Sequence, residues 1–189
     1  MQTEALIGGF QNAPVDASIA FRAAMTAMAR PGTVQTVTGA APPPPLSIAA
    51  GVLVLTLCDP DAGLVLTEPF NTPDIRNWVA FHTGAPIVGF EEAAFAIGHW
   101  SDLTPIDRYQ IGTAEYPDRS ATLIVEVPRL DGPGSALRGP GIRDVVHLPL
   151  PDAETMAQNA LLYPLGLDFF LTCGDQLAAL PRSTRIGEA

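Results

Sequence analysis

Residues 164–180 read PLGLDFFLTCGDQLAAL, two apolar runs joined by a short polar turn. Leu167 to Thr172 and Leu177 to Leu180 carry the aliphatic and aromatic side chains of buried strands, and Gly174-Asp175 supplies the turn chemistry of a hairpin. Upstream, Ala121 to Val127 (ATLIVEV) is the clearest single strand of the chain. Asp131-Gly132-Pro133-Gly134 is expected to turn it back into a second strand, Ser135 to Arg138, which Gly139-Pro140-Gly141 ends. Asp152 to Leu162 reads as a helix, stopped by Tyr163-Pro164-Leu165-Gly166. The tail PRSTRIGEA closes the chain.

The first half has a different rhythm. Pro14 to Ala29 predicts a helix whose Ile19, Phe21, Met25 and Met28 form a core-facing stripe, with Asp16 and Ser18 as first-turn or capping residues. Arg30-Pro31-Gly32 stops it, and Val34 to Thr38 alternates as a short strand. Pro42 to Pro45 is a polyproline connector. Ser47 caps an apolar segment ending at Cys58, whose dozen residues favour a buried helix. Leu64 to Thr67 is a strand. Thr72-Pro73 opens a helix that packs through Ile75, Trp78, Val79 and Phe81 and ends at His82-Thr83-Gly84. Strands follow at Ala85 to Val88 and Ala94 to Ile97, then a polar surface excursion from Gly98 to Pro117. Helices alternate with strands early and hairpins dominate late. That order predicts an α/β layered fold with a mixed sheet, in one domain over residues 1–189.

Composition excludes several classes of function. Twenty acidic residues against ten basic ones give a net charge of −10, which repels nucleic-acid phosphates and anionic lipid. The longest apolar run, Ile48 to Cys58, falls short of the roughly 18 residues that span a membrane. MQTEALIGGF has Glu4 and no basic residue before Arg22, unlike a signal peptide, and Cys58 and Cys173 are read as reduced, so a cytoplasmic location is expected. All ten basic residues are arginine. Without a lysine there is no pyridoxal-phosphate Schiff base, no Walker A phosphate loop and no lysine general base.

Candidate chemistry is sparse. His82, His99 and His147 are far apart and no Cys-x-x-Cys or His-Glu-x-x-His run occurs, so no metal site and no cofactor is expected. Cys173, at a strand end, reads as inert rather than nucleophilic. His82 is the best general-base or ligand-binding residue, and its structural alternative is hydrogen bonding to carbonyls at its helix end. Arg182, Ser183, Thr184 and Arg185 are consecutive donors. The Arg182 fork with Thr184 suits phosphonate or triphosphate oxygens, although an internal or inter-subunit ion pair is the expected use in so acidic a chain. Arg22, beside the methionine face of the first helix, carries the same ambiguity.

Four segments, FRAAMTAMARPG (21–32), FHTGAP (81–86), ATLIVEVPRL (121–130) followed by GPGI (139–142), and PLGLDFFLTCGDQLAALPRST (164–184), together resemble the H-subunit family of the bacterial carbon–phosphorus lyase system, also called the PhnH family. None of the four is a catalytic signature, and their weight comes from co-occurrence across most of the chain. The resemblance implies a three-layer α/β sandwich similar to pyridoxal-phosphate-dependent transferases but without the cofactor lysine. It also implies a homodimer that joins the G, I and J subunits in a core complex. With them, and functionally with the L subunit, the family supports formation of ribose 1-alkylphosphonate 5-triphosphate from ATP and alkylphosphonate. Catalysis by this chain alone is not expected; its part is assembly or substrate binding. The alternative is that it supplies His82 and Arg182 directly to the nucleotide or phosphonate site.

Overall fold

A computed structural model describes residues 7–187; the expectation that the first residues are unlike a signal peptide rests mainly on 1–6, outside that range. The helices are α1 (Ala13–Ala29), α2 (Ile48–Leu57), α3 (Pro73–His82), the short α4 (Trp100–Leu103) and α5 (Ala153–Ala160). The strands are β1 (Gln35–Thr36), β2 (Leu64–Leu66), β3 (Phe95–His99), β4 (Thr122–Glu126), β5 (Ser135–Arg138), β6 (Val146–Leu148), β7 (Asp168–Cys173), β8 (Gln176–Leu180) and β9 (Arg185–Gly187). Six strands form one sheet in the order β1-β8-β7-β4-β3-β2, with β2, β3, β4 and β7 parallel and β8 and β1 each antiparallel to its neighbour. The expected mixed sheet is therefore present.

Alternate side chains of the central strands serve two apolar layers. Ile124 and Phe170 face α1, α2 and α3, whereas Leu123, Val125, Phe169 and Leu171 face α4, α5 and a small sheet. The hairpin of residues 167–180 is β7–β8, paired from Phe169–Leu180 to Cys173–Gln176, and Gly174 turns it at φ +60°. Helix α2 is buried on every side from Ala49 to Val54 and starts where sequence places it, with Ser47 Oγ accepting from Ala50 N–H at 3.1 Å. Thr72 caps α3 in the same way, through Ile75 N–H at 3.2 Å.

Five expectations need correction. Most of the stripe on α1 does not face the core: Ile19, Phe21 and Met25 are exposed and Ala20, Ala24 and Ala27 are buried instead, whereas Met28 packs partly buried against the core as expected. Small side chains let α1 pack closely against its neighbours, so Ile19, Phe21 and Met25 are left outside. Phe81, expected in the face of α3, is likewise exposed. The second strand after the Asp131–Gly134 turn does not pair with β4; β5 joins β6 and β9 in a separate antiparallel sheet, ordered β6-β5-β9. Ala85–Val88 is not a strand but a strap, bridging only Leu64 to Ile87, with Leu64 N–H donating to Pro86 and Val88 N–H to Leu64. Finally, the Gly98–Pro117 excursion is no mere surface loop. Its Leu103 and Tyr109 are buried against the second layer, where burial raises the Tyr109 phenol above its ordinary range.

Candidate functional site

The parallel strands give the sheet two unlike ends, and the candidates divide between them. In open parallel sheets ligands bind beyond the carboxyl ends of the strands. There, β4 ends at Glu126 and β3 at His99, which are paired across the register. Glu126 Oε1 accepts the Ser47 backbone N–H at 2.9 Å, so the start of α2 is held against the middle of the sheet by a carboxylate. Thr172, buried at the end of β7, donates its hydroxyl to the Val125 carbonyl at 3.3 Å. His99 Nδ1 lies 3.3 Å from the Glu126 carbonyl oxygen and donates to it in the tautomer protonated there, while Phe70 meets the ring edge-on at 5.1 Å between centroids.

Burial raises the Glu126 carboxyl above the ordinary glutamate range; its contacts with Ser47 and Thr172 and the nearby His99 act the other way. The cluster is thus a carboxyl group that gives up its proton reluctantly, with an imidazole beside it. It can hold or pass a proton and accept hydrogen bonds, and among the described residues no group of three or more His, Cys, Asp or Glu surrounds it to hold a metal. Sequence reasoning passed over Glu126, although a lone acid inside the apolar run ATLIVEV was a visible signal. It weighed His99 only as a metal ligand.

Arg182 belongs to the opposite end. Asp168 opens β7, and the Arg182 fork grips it: Nε donates to Oδ1 at 3.1 Å and Nη2 to Oδ2 at 2.5 Å, with the Arg182 backbone N–H adding a bond to Oδ1 at 2.8 Å. Nη1 donates to the Pro117 carbonyl at 2.8 Å, and Nη2 also meets Ser120 Oγ. Its fork is therefore committed to internal partners, in the ion pair expected of so acidic a chain. Thr184 is buried; its backbone N–H donates to Pro181, and its hydroxyl has no partner among the described residues.

His82 packs at the end of α3, between Trp78 at 5.2 Å and Phe81 at 4.9 Å. Gly9 lies so close to it that a Cβ there would stand 2.5 Å from the ring. Among the described residues its ring makes no hydrogen bond to the helix-end carbonyls; Thr83 does so instead, donating to Val79 at 2.9 Å. Arg22 is exposed on α1. Among the described residues no hydrogen bond or ion pair joins His82, Arg22 and the Arg182–Thr184 segment into one site. Cys58 is a free buried thiol pushed up to about 12, first by burial and then by Asp59, and Cys173 is free as well.

Comparison with known proteins adds a second line. Residues 8–187 match the model of a family described as bacterial phosphonate metabolism protein (PhnH). The chain is 40% identical, over 98% of its length and 97% of the relative's, to the alpha-D-ribose 1-methylphosphonate 5-triphosphate synthase subunit PhnH of Rhizobium meliloti strain 1021. It is 31% identical to the putative C-P lyase subunit protein HtxG of Stutzerimonas stutzeri, over 88% of this chain and 84% of that one. A match across nearly the whole folded chain, with the four sequence segments inside it, is a family relationship: the chain belongs to the PhnH family of bacterial phosphonate-metabolism proteins.

Proposed function

We propose that this chain is a non-metal subunit of a carbon–phosphorus lyase assembly, and that it supports formation of ribose 1-alkylphosphonate 5-triphosphate from ATP and alkylphosphonate. The observation that carries this reading is the 40% identity, end to end, with a protein named as a subunit of alpha-D-ribose 1-methylphosphonate 5-triphosphate synthase. Among the described residues the candidates named so far bring together a proton-holding carboxyl and an imidazole but no set of phosphate-binding groups, which favours a contribution through assembly or substrate binding over catalysis alone. The Arg182 fork is taken up internally, and this weighs against its direct use on phosphonate or triphosphate. The exposed guanidinium of Arg22 remains suited to such a ligand or to a partner's acid.

In this reading the chain works as a homodimer in the cytoplasm, beside the G, I and J subunits and with the L subunit, and residues 1–189 act as one domain. The covered mixed sheet, with no lysine in the chain, suits a transferase-like scaffold that uses no Schiff base. Among the described residues no helix is long and apolar enough to cross a membrane. Outward-facing side chains supply surfaces for assembly: Ile19, Phe21 and Met25 on α1, and Leu161, Leu162 and Tyr163 after α5. The test is adenine release from ATP and methylphosphonate by the reconstituted subunits, with and without this chain. Release is expected only when the chain is present among its partners. Release by the purified chain alone, or full release in its absence, would overturn the proposal.

A further inference from the structure

Beside the Glu126 cluster, where the chain leaves the carboxyl end of β4, lies a groove of about 460 Å³ that none of the candidate residues enters. One wall is Val127, Pro128 and Arg129; the other is Ser135 with Pro149 and Pro151, on the path from β6 to α5. The second wall is held together by a backbone contact. Gly134 approaches the Leu148–Pro149 peptide so closely that a Cβ would stand 2.1 Å from the Leu148 carbonyl carbon.

Among the polar side chains of this lining are the Arg129 guanidinium and the Ser135 hydroxyl, and the rest is largely proline and aliphatic surface. Arg129 is exposed, and among the described residues the one ion pair is Arg182–Asp168, so no acid is set against it. The guanidinium lies over the turn, with Nη1 3.2 Å from where a Gly132 Cβ would stand. What sets Arg129 apart from the other arginines without an ion pair is its place at the rim of an apolar groove beside the Ser135 hydroxyl, where an anion from outside can be met. The position agrees, because the groove opens beyond the carboxyl end of a central parallel strand.

We propose that this groove binds a small oxyanion carried on an apolar body, with Arg129 and Ser135 meeting the anion and the valine and proline faces meeting the body. The site goes beyond the subunit assignment and does not depend on it. Isothermal titration of the full chain with phenylphosphonate, inorganic phosphate and benzyl alcohol separates the two parts of the ligand. Phenylphosphonate is expected to bind saturably, and at least about tenfold more tightly than either fragment. Arg129→Ala should weaken it about tenfold or more, Arg129→Lys less, and Arg76→Ala, on the distant α3, not at all. Val127 methyl resonances should shift on binding.

Three results would overturn the proposal: no saturable binding of phenylphosphonate, unchanged affinity in a folded Arg129→Ala chain, or phosphate binding as tightly as phenylphosphonate. The first two remove the site, and the third removes the role of its apolar walls. Since Arg129 is exposed, its replacement leaves the core intact, and near-ultraviolet circular dichroism confirms folding before titration.

Discussion

Replacing Arg182 by alanine tests whether this arginine is a clamp or a ligand-binding group. In the folded chain it ties together three segments distant in sequence: Asp168 at the start of β7, the Pro117–Ser120 approach to β4, and its own position after β8. Removing one partner of a buried ion pair costs about 3–5 kcal/mol, because the other charge is left without compensation. The two side chains keep 13% and 22% of their exposure, so water can recover part of that loss for Asp168. The expected cost is therefore about 3 kcal/mol, near the lower end. For a chain of this size, a loss of that order lowers the melting temperature by roughly 6–12 °C.

Arg182→Lys keeps the charge but not the fork, and should fall between the two. In a double-mutant cycle with Asp168→Ala, a coupling of about 2 kcal/mol is expected, since the residues are in direct contact. Urea unfolding followed by far-ultraviolet circular dichroism reads all four corners of the cycle. Adenine release by the assembled subunits, measured well below the lowered melting temperature, should be retained. A stability change below about 0.5 kcal/mol, together with loss of that activity, would refute the clamp and restore Arg182 as a ligand residue.

Two other substitutions probe the carboxyl end of the sheet. Burial raises the Glu126 carboxyl in the folded chain, so its contribution to stability is full below the unfolded value and fades as pH rises through the raised one. Glu126→Gln keeps an acceptor for Ser47 but has no charge to bury. Its unfolding free energy should fall less steeply than the parent's above the ordinary glutamate value of 4.5, and coincident slopes in denaturant titrations would dismiss the effect. Ser47→Ala removes the α2 cap while leaving the Ser47 N–H on Glu126, and should cost about 1 kcal/mol in the same urea assay.

Local features were the ones legible in the sequence. The caps at Ser47 and Thr72, the β7–β8 turn at Gly174 and the burial of α2 each depend on a few consecutive residues. Features set by distant partners were not. Periodicity identified α1 but could not tell which of its apolar stripes faces inward; close approach to its neighbours selects Ala20, Ala24 and Ala27 over Phe21 and Met25. The chain does bend at Gly132–Pro133, yet β5 does not return to β4 and finds its partners at Val146–Leu148 and in the tail at Arg185–Gly187. A short run such as RIG has no pattern of its own from which to read a strand. At the site, a general preference for an arginine ion pair was available from charge balance, but not that Asp168 would be the acid. Glu126 was missed because a search for ligand clusters along the chain does not find a carboxylate whose neighbours lie on other strands and on α2.

The strap at residues 86–88 has a consequence for how copies of this protein behave when crowded together. Strand β2 is the last of its sheet, and its three residues, Leu64, Val65 and Leu66, are all apolar and buried. A bare edge of that kind is a template on which a second chain can extend the sheet and begin an aggregate. Here the outward hydrogen-bonding groups of Leu64 are already taken by Pro86 and Val88, and Pro86 itself has no amide hydrogen to offer a newcomer. The strap therefore acts as a guard against self-association of the edge, on a segment too short to count as a strand.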